Sequence, residues 1–470
     1  MNFNSISFAI FLPVVFLIYW LCLRNRTRSQ NIFLLVASYL FYAWWDWRFL
    51  FLIIITTAST YSTALAAKHG NKRTWTVANI ILNLGILATF KYFNFFSENL
   101  RHILSAIGMA ADWVTLDILL PAGISFYTFQ AISYSVDVYR DRIKPTRDYI
   151  AFSTFIAFFP QLVAGPIERA TNLLPQITSP RHWEYNEAVL GMRQILWGLA
   201  KKLAMADLCG QAVDAIFSQP HYYASEFGAS TLILGSILFS FQIYGDFSGY
   251  SDIATGSARL FGIRLMDNFR HPYFSRNVRE FWQRWHISLM QWFREYLYIP
   301  LGGNRNGLPR TLLNISIVFL ISGLWHGAAW TFVAWGAFWA IFMCIGIIFN
   351  SRRYRPDEIA SWKDTHRIVI VFLLVSIGFT IFRSQSIDAA IDYFGLIFHS
   401  GGLLAVPTGL TPLWSVVLVI GAEWYTRRHP FPLQRMPRSA ALRFAIYWLL
   451  LGTILWACDT DSTSFIYFRF

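Results

Sequence analysis

Phe8-Ala9-Ile10-Phe11-Leu12-Pro13-Val14-Val15-Phe16-Leu17-Ile18-Tyr19-Trp20-Leu21-Cys22-Leu23 is an apolar and aromatic run, followed at once by Arg24, Arg26 and Arg28. With its flanks it is long enough to cross a bilayer. It lacks a basic stretch before it and a small-residue cleavage site after it. It therefore reads as a retained first span, N-terminus outside, rather than a signal peptide. Further apolar segments lie near Ile32–Trp45, Phe49–Ala67, Val77–Phe96 and Leu116–Val138. Basic clusters follow the first segment, the third (Lys68, Lys72, Arg73) and the fifth (Arg140, Arg142, Lys144, Arg147). That alternation places the odd-numbered exits in the cytoplasm. In the C-terminal third, Arg352, Arg353 and Arg355 follow a segment near Ala328–Phe349, and Arg427 and Arg428 follow Leu413–Trp424. The last segment, Leu442–Ala457, leads to Asp459 and Asp461. The expectation is an all-α, polytopic integral membrane protein with roughly 10–12 spans and both termini extracytoplasmic.

Composition points the same way. Of 470 residues, 55% are hydrophobic, 18% aromatic and only 14% charged. A soluble domain carries about 25% charged residues, so a bilayer must serve as solvent for much of this surface. The 20 Trp and 22 Tyr suit membrane interfaces. The net charge of +13 sits in short clusters between apolar segments, as topology requires, which argues against a nucleic-acid partner and for membrane lipids. Cys22, Cys209, Cys344 and Cys458 are scattered, with no C-x-x-C pair, so neither a disulfide framework nor a metal site is implied. From Tyr149 to Arg310, Pro160, Pro166, Pro175, Pro272 and Pro300 interrupt the apolar stretches. Irregular backbone at membrane depth needs burial in protein or a cavity to line, so a cavity is expected there.

Ten histidines are the main candidates for chemistry. His69, His102, His182, His221, His366 and His429 stand in polar or basic surroundings near loops, and His271 and His399 at a turn and a helix end; a structural or solvated role fits these. His326 differs, lying in Ile321-Ser322-Gly323-Leu324-Trp325-His326-Gly327-Ala328-Ala329-Trp330 without a compensating charge. An ionisable residue in such a run points to function, and burial favours the neutral imidazole that accepts a proton. Its flanking glycines admit a second backbone or a substrate. His286 lies in Glu280-Phe281-Trp282-Gln283-Arg284-Trp285-His286-Ile287-Ser288-Leu289; as one helix, this would put Trp282, Trp285 and Leu289 on one face and Arg284 and Ser288 on another. H-E-x-x-H, P-loop, G-x-G-x-x-G and G-x-S-x-G patterns are absent.

Four strings together resemble signatures of membrane-bound O-acyltransferases: Tyr244-Gly245-Asp246-Phe247-Ser248-Gly249-Tyr250-Ser251-Asp252, Arg279-Glu280-Phe281-Trp282-Gln283-Arg284-Trp285-His286, Tyr296-Leu297-Tyr298-Ile299-Pro300-Leu301-Gly302-Gly303-Asn304-Arg305, and Ser322-Gly323-Leu324-Trp325-His326-Gly327. Pro121-Ala122-Gly123-Ile124-Ser125 and Phe159-Pro160-Gln161-Leu162-Val163-Ala164-Gly165-Pro166 resemble the bacterial branch that acetylates alginate, peptidoglycan and cellulose. The teichoic-acid D-alanine transfer proteins are a more distant similarity. The resemblance implies one membrane-embedded domain over residues 1–470, with 120–340 the motif-bearing catalytic core and a ring of spans around a thinned central funnel or channel. It implies His326 as the essential histidine and His286 as the second. Asp246, Gln283, Arg284, Tyr298, Asn304 and Trp325 become candidate substrate-channel residues. Gly245 stands where the family pattern leads one to expect an aromatic residue.

By the same resemblance the expected reaction is transfer of an acetyl group, with acetyl-CoA as acyl donor, to an extracytoplasmic polysaccharide hydroxyl by an enzyme of the bacterial inner membrane. The resemblance also implies a periplasmic acetyltransferase partner that completes delivery, and implies no bound cofactor or metal. Two alternatives are an acyl or D-alanyl carrier protein as donor, and a transporter or export channel. The paired broken-helix repeats that mark many transporters are not evident.

Overall fold

The computed structural model describes residues 1–109, 119–163, 165–217, 228–349, 358–399 and 409–458, and among them every regular element is helical. Arg352, Arg353, Arg355, Asp459, Asp461, His221, Ala164 and the start of the Leu116–Val138 segment lie outside the described residues. Among the described residues, six helices are long and apolar enough to cross a bilayer: Trp47–His69, Lys72–Ala106, Gly307–His326, Trp330–Ile348, Trp362–Arg383 and Ala440–Ala457. The protein is a multi-pass membrane protein. Shorter helices match other expected spans: Ile6–Leu17 continued by a π-helical turn to Cys22, Thr27–Ala43, Ile124–Tyr139 and Thr411–Tyr425. Two long helices escape the hydropathy reading. Gly307–His326 contains Arg310, Asn314 and Ser322, and Trp362–Arg383 begins with Lys363, Asp364, His366 and Arg367, so polar residues shorten each apolar run.

The chain packs as two compact units, Met1–Glu184 with Leu260–Leu265, and Tyr185–Arg259 with Met266–Phe470. In the first, the Trp20 indole donates to the Leu260 carbonyl (2.9 Å) and Tyr19 Oη to that of Phe261 (3.3 Å), which pins the returning segment. Helices here meet through buried polar contacts: Asn79 donates to Thr60 Oγ1 (3.1 Å) and accepts from Ser135 Oγ (2.9 Å). Where hydrocarbon offers no alternative partner, such pairs fix helix register. The two strings of the bacterial branch meet in this unit. Gly123 begins the Ile124–Tyr139 helix at φ +74°, and a Cβ there would lie 2.4 Å from the Leu162 carbonyl oxygen. Only glycine satisfies both demands.

The second unit is organised around Ala229–Leu260, a 32-residue helix about 48 Å long at 1.5 Å per residue. It crosses Tyr185–Leu199 at Gly198 and Gly249, where a Cβ on either would come within 2.7 Å of the other's carbonyl oxygen. The Tyr185–Leu199 helix runs on as a π-helical stretch, Ala200–Asp207. Consecutive lysines there bind consecutive turns of the long helix: Lys201 reaches Asp252 (2.6 Å), and Lys202 reaches Asp246 (2.7 Å) as well as Asp207 (2.8 Å). Gly245 faces this stretch, with a Cβ placed 2.9 Å from the Lys201 carbonyl oxygen and 2.6 Å from Met205 Cε. This chain therefore has no room for an aromatic side chain at position 245.

Candidate active site

His326 ends the Gly307–His326 helix, and the chain turns through Gly327–Ala329 into Trp330–Ile348. A Cβ on Gly323 would lie 2.2 Å from the Phe332 carbonyl oxygen, and one on Gly327 would lie 2.0 Å from the Phe332 ring. The glycines flanking His326 thus admit Phe332 of the same chain. The buried His326 imidazole is met edge-on by Trp325 (centroids 4.9 Å apart), Trp335 (5.1 Å) and Phe382 (5.5 Å).

The continuous helix considered for residues 280–289 is not formed. Val278–Arg284 ends, Trp285 is extended, and Ile287–Phe293 begins after His286, which has φ +44° and ψ +52°. A left-handed residue other than glycine costs about 1–3 kcal/mol and persists only where its surroundings over-determine it. Here they do. The Phe247 ring meets the His286 imidazole edge-on at 4.6 Å, Trp325 lies 6.0 Å away, and Asn268 Oδ1 is 3.1 Å from His286 Nδ1. His286 lies outside the six long apolar helices, and burial pushes its imidazole down to about 3, so the ring is neutral at physiological pH.

The two histidines of the sequence reading, on separate segments, thus share one neighbour, Trp325. Trp335 packs against His326, and Trp282 packs against Trp335 (5.7 Å) and Trp339 (5.1 Å). The indole N–H groups of Trp282, Trp335 and Trp339 are buried without a hydrogen-bond partner among the described residues. A buried donor left unmade costs about 1–3 kcal/mol, so three in one cluster leave the enclosure rich in donors.

The other candidates are placed differently. Asp246 is held by Lys202, and Arg284 donates to Glu280 Oε1 (2.8 Å) and to the Arg270 carbonyl (3.2 Å). Gln283 is exposed. Tyr298 and the exposed Asn304 precede the Gly307–His326 helix, whose 20 residues place His326 about 30 Å further along. Sequence reasoning passed over Asn268, Trp335 and Phe382, which lack a motif to mark them. It also passed over Glu423, although a carboxylate in the apolar Thr411–Tyr425 helix is a signal in itself. Glu423 accepts from Tyr244 Oη (2.9 Å) and lies 3.6 Å from His271 Nδ1. His271 Nε2 is 2.8 Å from the His429 carbonyl, which ties this turn to the segment after the Thr411–Tyr425 helix. Among the described residues, no group of three His, Cys, Asp or Glu stands close enough to hold a metal ion.

The family of membrane-bound O-acyltransferases matches residues 140–386, a stretch that contains His286, His326, Trp335 and Phe382. The chain belongs to the membrane-bound O-acyltransferase family. It is 38% identical to the probable alginate O-acetylase AlgI of Pseudomonas putida over an alignment of 502 residues covering 99% of each chain. It is 33% identical to the peptidoglycan O-acetyltransferase of Helicobacter pylori, over 81% of this chain and 76% of that one. The teichoic acid D-alanyltransferase of Bacillus subtilis is 28% identical over 56% of this chain and 68% of its own. The protein is an acyltransferase of the alginate O-acetylase branch. In this membrane-bound O-acyltransferase the paired histidines and their aromatic enclosure fall inside the matched region, whereas Gly123 and Glu423 lie outside it.

Proposed function

We propose that this membrane-bound O-acyltransferase moves an acetyl group from acetyl-CoA at the cytoplasmic face of a bacterial inner membrane to a polysaccharide hydroxyl on the other side. The acceptor hydroxyl belongs to the glycan itself or to an extracytoplasmic partner protein that completes delivery. One observation carries this reading: two buried histidines on separate segments share Trp325 as a neighbour, close to the indole donors of Trp282, Trp335 and Trp339, which have no acceptor among the described residues. Identities of 38% and 33% to proteins named for O-acetyl transfer, against 28% to one named for D-alanyl transfer, favour acetyl over D-alanyl.

The step runs as follows. The acceptor oxygen attacks the thioester carbonyl carbon while His326 takes its proton. A free alcohol is a poor nucleophile, and such base catalysis contributes about 10²–10⁴-fold. Negative charge collects on the carbonyl oxygen, where the Trp335 N–H is suited to meet it. The carbon–sulfur bond then breaks, the proton passes from His326 to the departing thiolate, and ester and free thiol are the products. His286 either orients the acceptor or stabilises the oxyanion. Acetyl-CoA is a substrate in this scheme, not a resident cofactor.

The test is base-released acetate from envelope glycans of cells carrying wild-type or His326→Ala protein at matched membrane levels. Loss in the variant supports acetyl transfer through this histidine. Acetate lost on deletion of the gene but retained in the variant removes His326 from catalysis. Acetate unchanged even on deletion rules out acetyl transfer as the activity.

A further inference from the structure

The hydrogen bonds around Asn268 decide which nitrogen of His286 carries the proton, and so which of its two proposed roles it can play. Asn268 is buried, and its side-chain amide has two distinguishable ends. Nδ2 points to Ser251 Oγ (3.2 Å). Oδ1 receives the Ser288 backbone N–H (3.3 Å) and Ser288 Oγ (2.9 Å), and it lies 3.1 Å from His286 Nδ1. Asn oxygen and nitrogen are told apart only by their partners. Here the partner is decisive, because a backbone N–H can only donate. Rotating the amide by half a turn would set Nδ2 against the Ser288 N–H, donor facing donor. The atom facing His286 is therefore the oxygen. An unprotonated Nδ1 at this distance would set two lone pairs against each other, so Nδ1 bears the hydrogen.

We infer that Asn268 is a positioning residue that locks His286 in its Nδ1–H tautomer, so that Nε2 presents a lone pair to the site. An Nε2 lone pair accepts a hydrogen bond; it cannot donate one to an oxyanion. His286 then holds the acceptor hydroxyl, and stabilising the carbonyl oxygen falls to the indole donors around His326. The backbone reinforces the lock: the Asn268 carbonyl accepts from the Ile287 N–H (2.9 Å), and Arg270 and Arg284 are joined main chain to main chain (3.0 Å), which clamps the left-handed turn at His286 against residues 268–270. The inference rests on the reading of this site as that of an acyltransferase that uses a hydroxyl acceptor.

The rings packed on His286, those of Phe247, Phe269 and Trp325, do not titrate. The titratable and charged groups in the neighbourhood are Arg284 with Glu280, Asp246 and Lys202, which pair beside Phe247, His326 beyond Trp325, and the groups that share a small polar cavity with Asn268: Lys201 with Asp252, Glu423 with His271 and Tyr244, and Asp267.

Two substitutions separate positioning from mere packing. Asn268→Asp keeps an acceptor for Ser288 and for Nδ1–H, but adds a charge that favours the imidazolium. Asn268→Leu keeps volume and removes the acceptor. Acetyl transfer from acetyl-labelled CoA to endogenous polymer is measured in membrane vesicles across pH 5–9, together with ¹⁵N spectra of the full chain labelled at histidine. His286→Gln assigns the His286 signal. The wild-type should show His286 protonated at Nδ1 only, with no acidic limb in activity due to this residue. Asn268→Asp should recover most activity at high pH and lose it as pH falls, since its His286 is neutral only above its raised pKa. Asn268→Leu should lose about ten- to a hundredfold at every pH, the loss expected for one buried hydrogen bond. An Nε2–H signal in the wild-type overturns the inference. So do an Asn268→Leu variant within twofold of wild-type and an Asn268→Asp profile of unchanged shape. If His326→Ala and His286→Ala also transfer normally, the reading of the site itself has failed; if those two are inactive, only the tautomer assignment has.

Discussion

Trp335→Phe tests the chemistry of the enclosure with little disturbance of its shape. Trp335 is 1% exposed, its ring meets His326 at 5.1 Å, and its N–H has no partner among the described residues. In the resting protein that orphaned donor costs about 1–3 kcal/mol. Phenylalanine removes the penalty but gives up part of the ring's burial, a loss of about 1–3 kcal/mol by analogy with other large-to-smaller core changes. The two effects oppose each other, so the variant should fold and reach the membrane at nearly wild-type levels.

Activity should not be so lenient. If the N–H meets the carbonyl oxygen as charge develops there, its loss removes an interaction present only in the transition state. The cost is then about 10²–10³-fold in kcat, with KM for acetyl-CoA little changed. The assay is acetyl transfer in membrane vesicles at matched protein levels, with kcat and KM determined separately. Trp339→Phe is the control, because Trp339 is an equally buried indole, also without a hydrogen-bond partner among the described residues, that packs on Trp282 and Phe281. It should stay within about threefold of wild-type, the loss of an ordinary packing contact. A Trp335→Phe enzyme within threefold of wild-type, or equal losses in the two variants, would refute the reasoning.

Other outcomes follow from the same geometry. His286→Ala should transfer more slowly than wild-type yet faster than His326→Ala, and equal acyl flux in His286→Ala and wild-type would remove it from the site. Glu280→Gln leaves the buried Arg284 guanidinium without its carboxylate and weakens the hold on Arg276, a change worth about 3–5 kcal/mol, so the amount of folded protein in the membrane should fall sharply. Gly123→Ala meets both a left-handed φ and the Leu162 carbonyl, and should lower membrane abundance more than alanine at the unobstructed Gly421. Gly245→Phe should fail to accumulate even with Met205→Ala, because the Lys201 carbonyl would still obstruct it; normal accumulation would show that the long helix can shift there.

The helices that the sequence reveals best are those whose apolar runs are long, such as Trp330–Ile348 and, beyond Arg443, Ala440–Ala457. Trp362–Arg383 is hidden by four charged or titratable residues in its first turns, and Gly307–His326 by the polar residues that face its neighbours. Hydropathy averages over a helix face and cannot tell a buried Asn from a wetted one. Asn314, for instance, caps the Leu301 and Gly303 carbonyls (3.2 and 2.9 Å) from inside the helix. In the site, His326 stands out because its surroundings are apolar, and the structure keeps them so. The break at His286 is not legible, since Trp285-His286-Ile287 holds neither glycine nor proline. The turn is imposed by tertiary contacts with Asn268 and Phe247, which carry no local signature.

The motif residues divide into two chemical classes, and the division explains why conspicuous charges are poor guides to the reacting atoms here. Asp246 pairs with Lys202, Arg284 with Glu280, and Asp252 with Lys201, each pair joining separate turns or helices. A buried ion pair contributes little net stability, but losing one partner strands the other, so such pairs enforce one arrangement of short, irregular helices that hydrophobic burial alone would leave loose. On the proposed mechanism the histidines need the opposite surroundings. A base that must accept a proton near neutral pH works as a neutral imidazole, and an adjacent unpaired carboxylate or ammonium would shift it away from that state. Rings of Trp, Phe and Tyr supply bulk, exclude water and, through indole N–H groups, offer donors that carry no net charge. The charged motif residues therefore hold the aromatic enclosure in place, and burial in that enclosure keeps His286 neutral. Lys202→Arg, which keeps a positive charge between Asp246 and Asp207, should accordingly retain more transfer activity than Lys202→Met, which strands both carboxylates. If Lys202→Met is as active as wild-type, the pair is not what holds the site together.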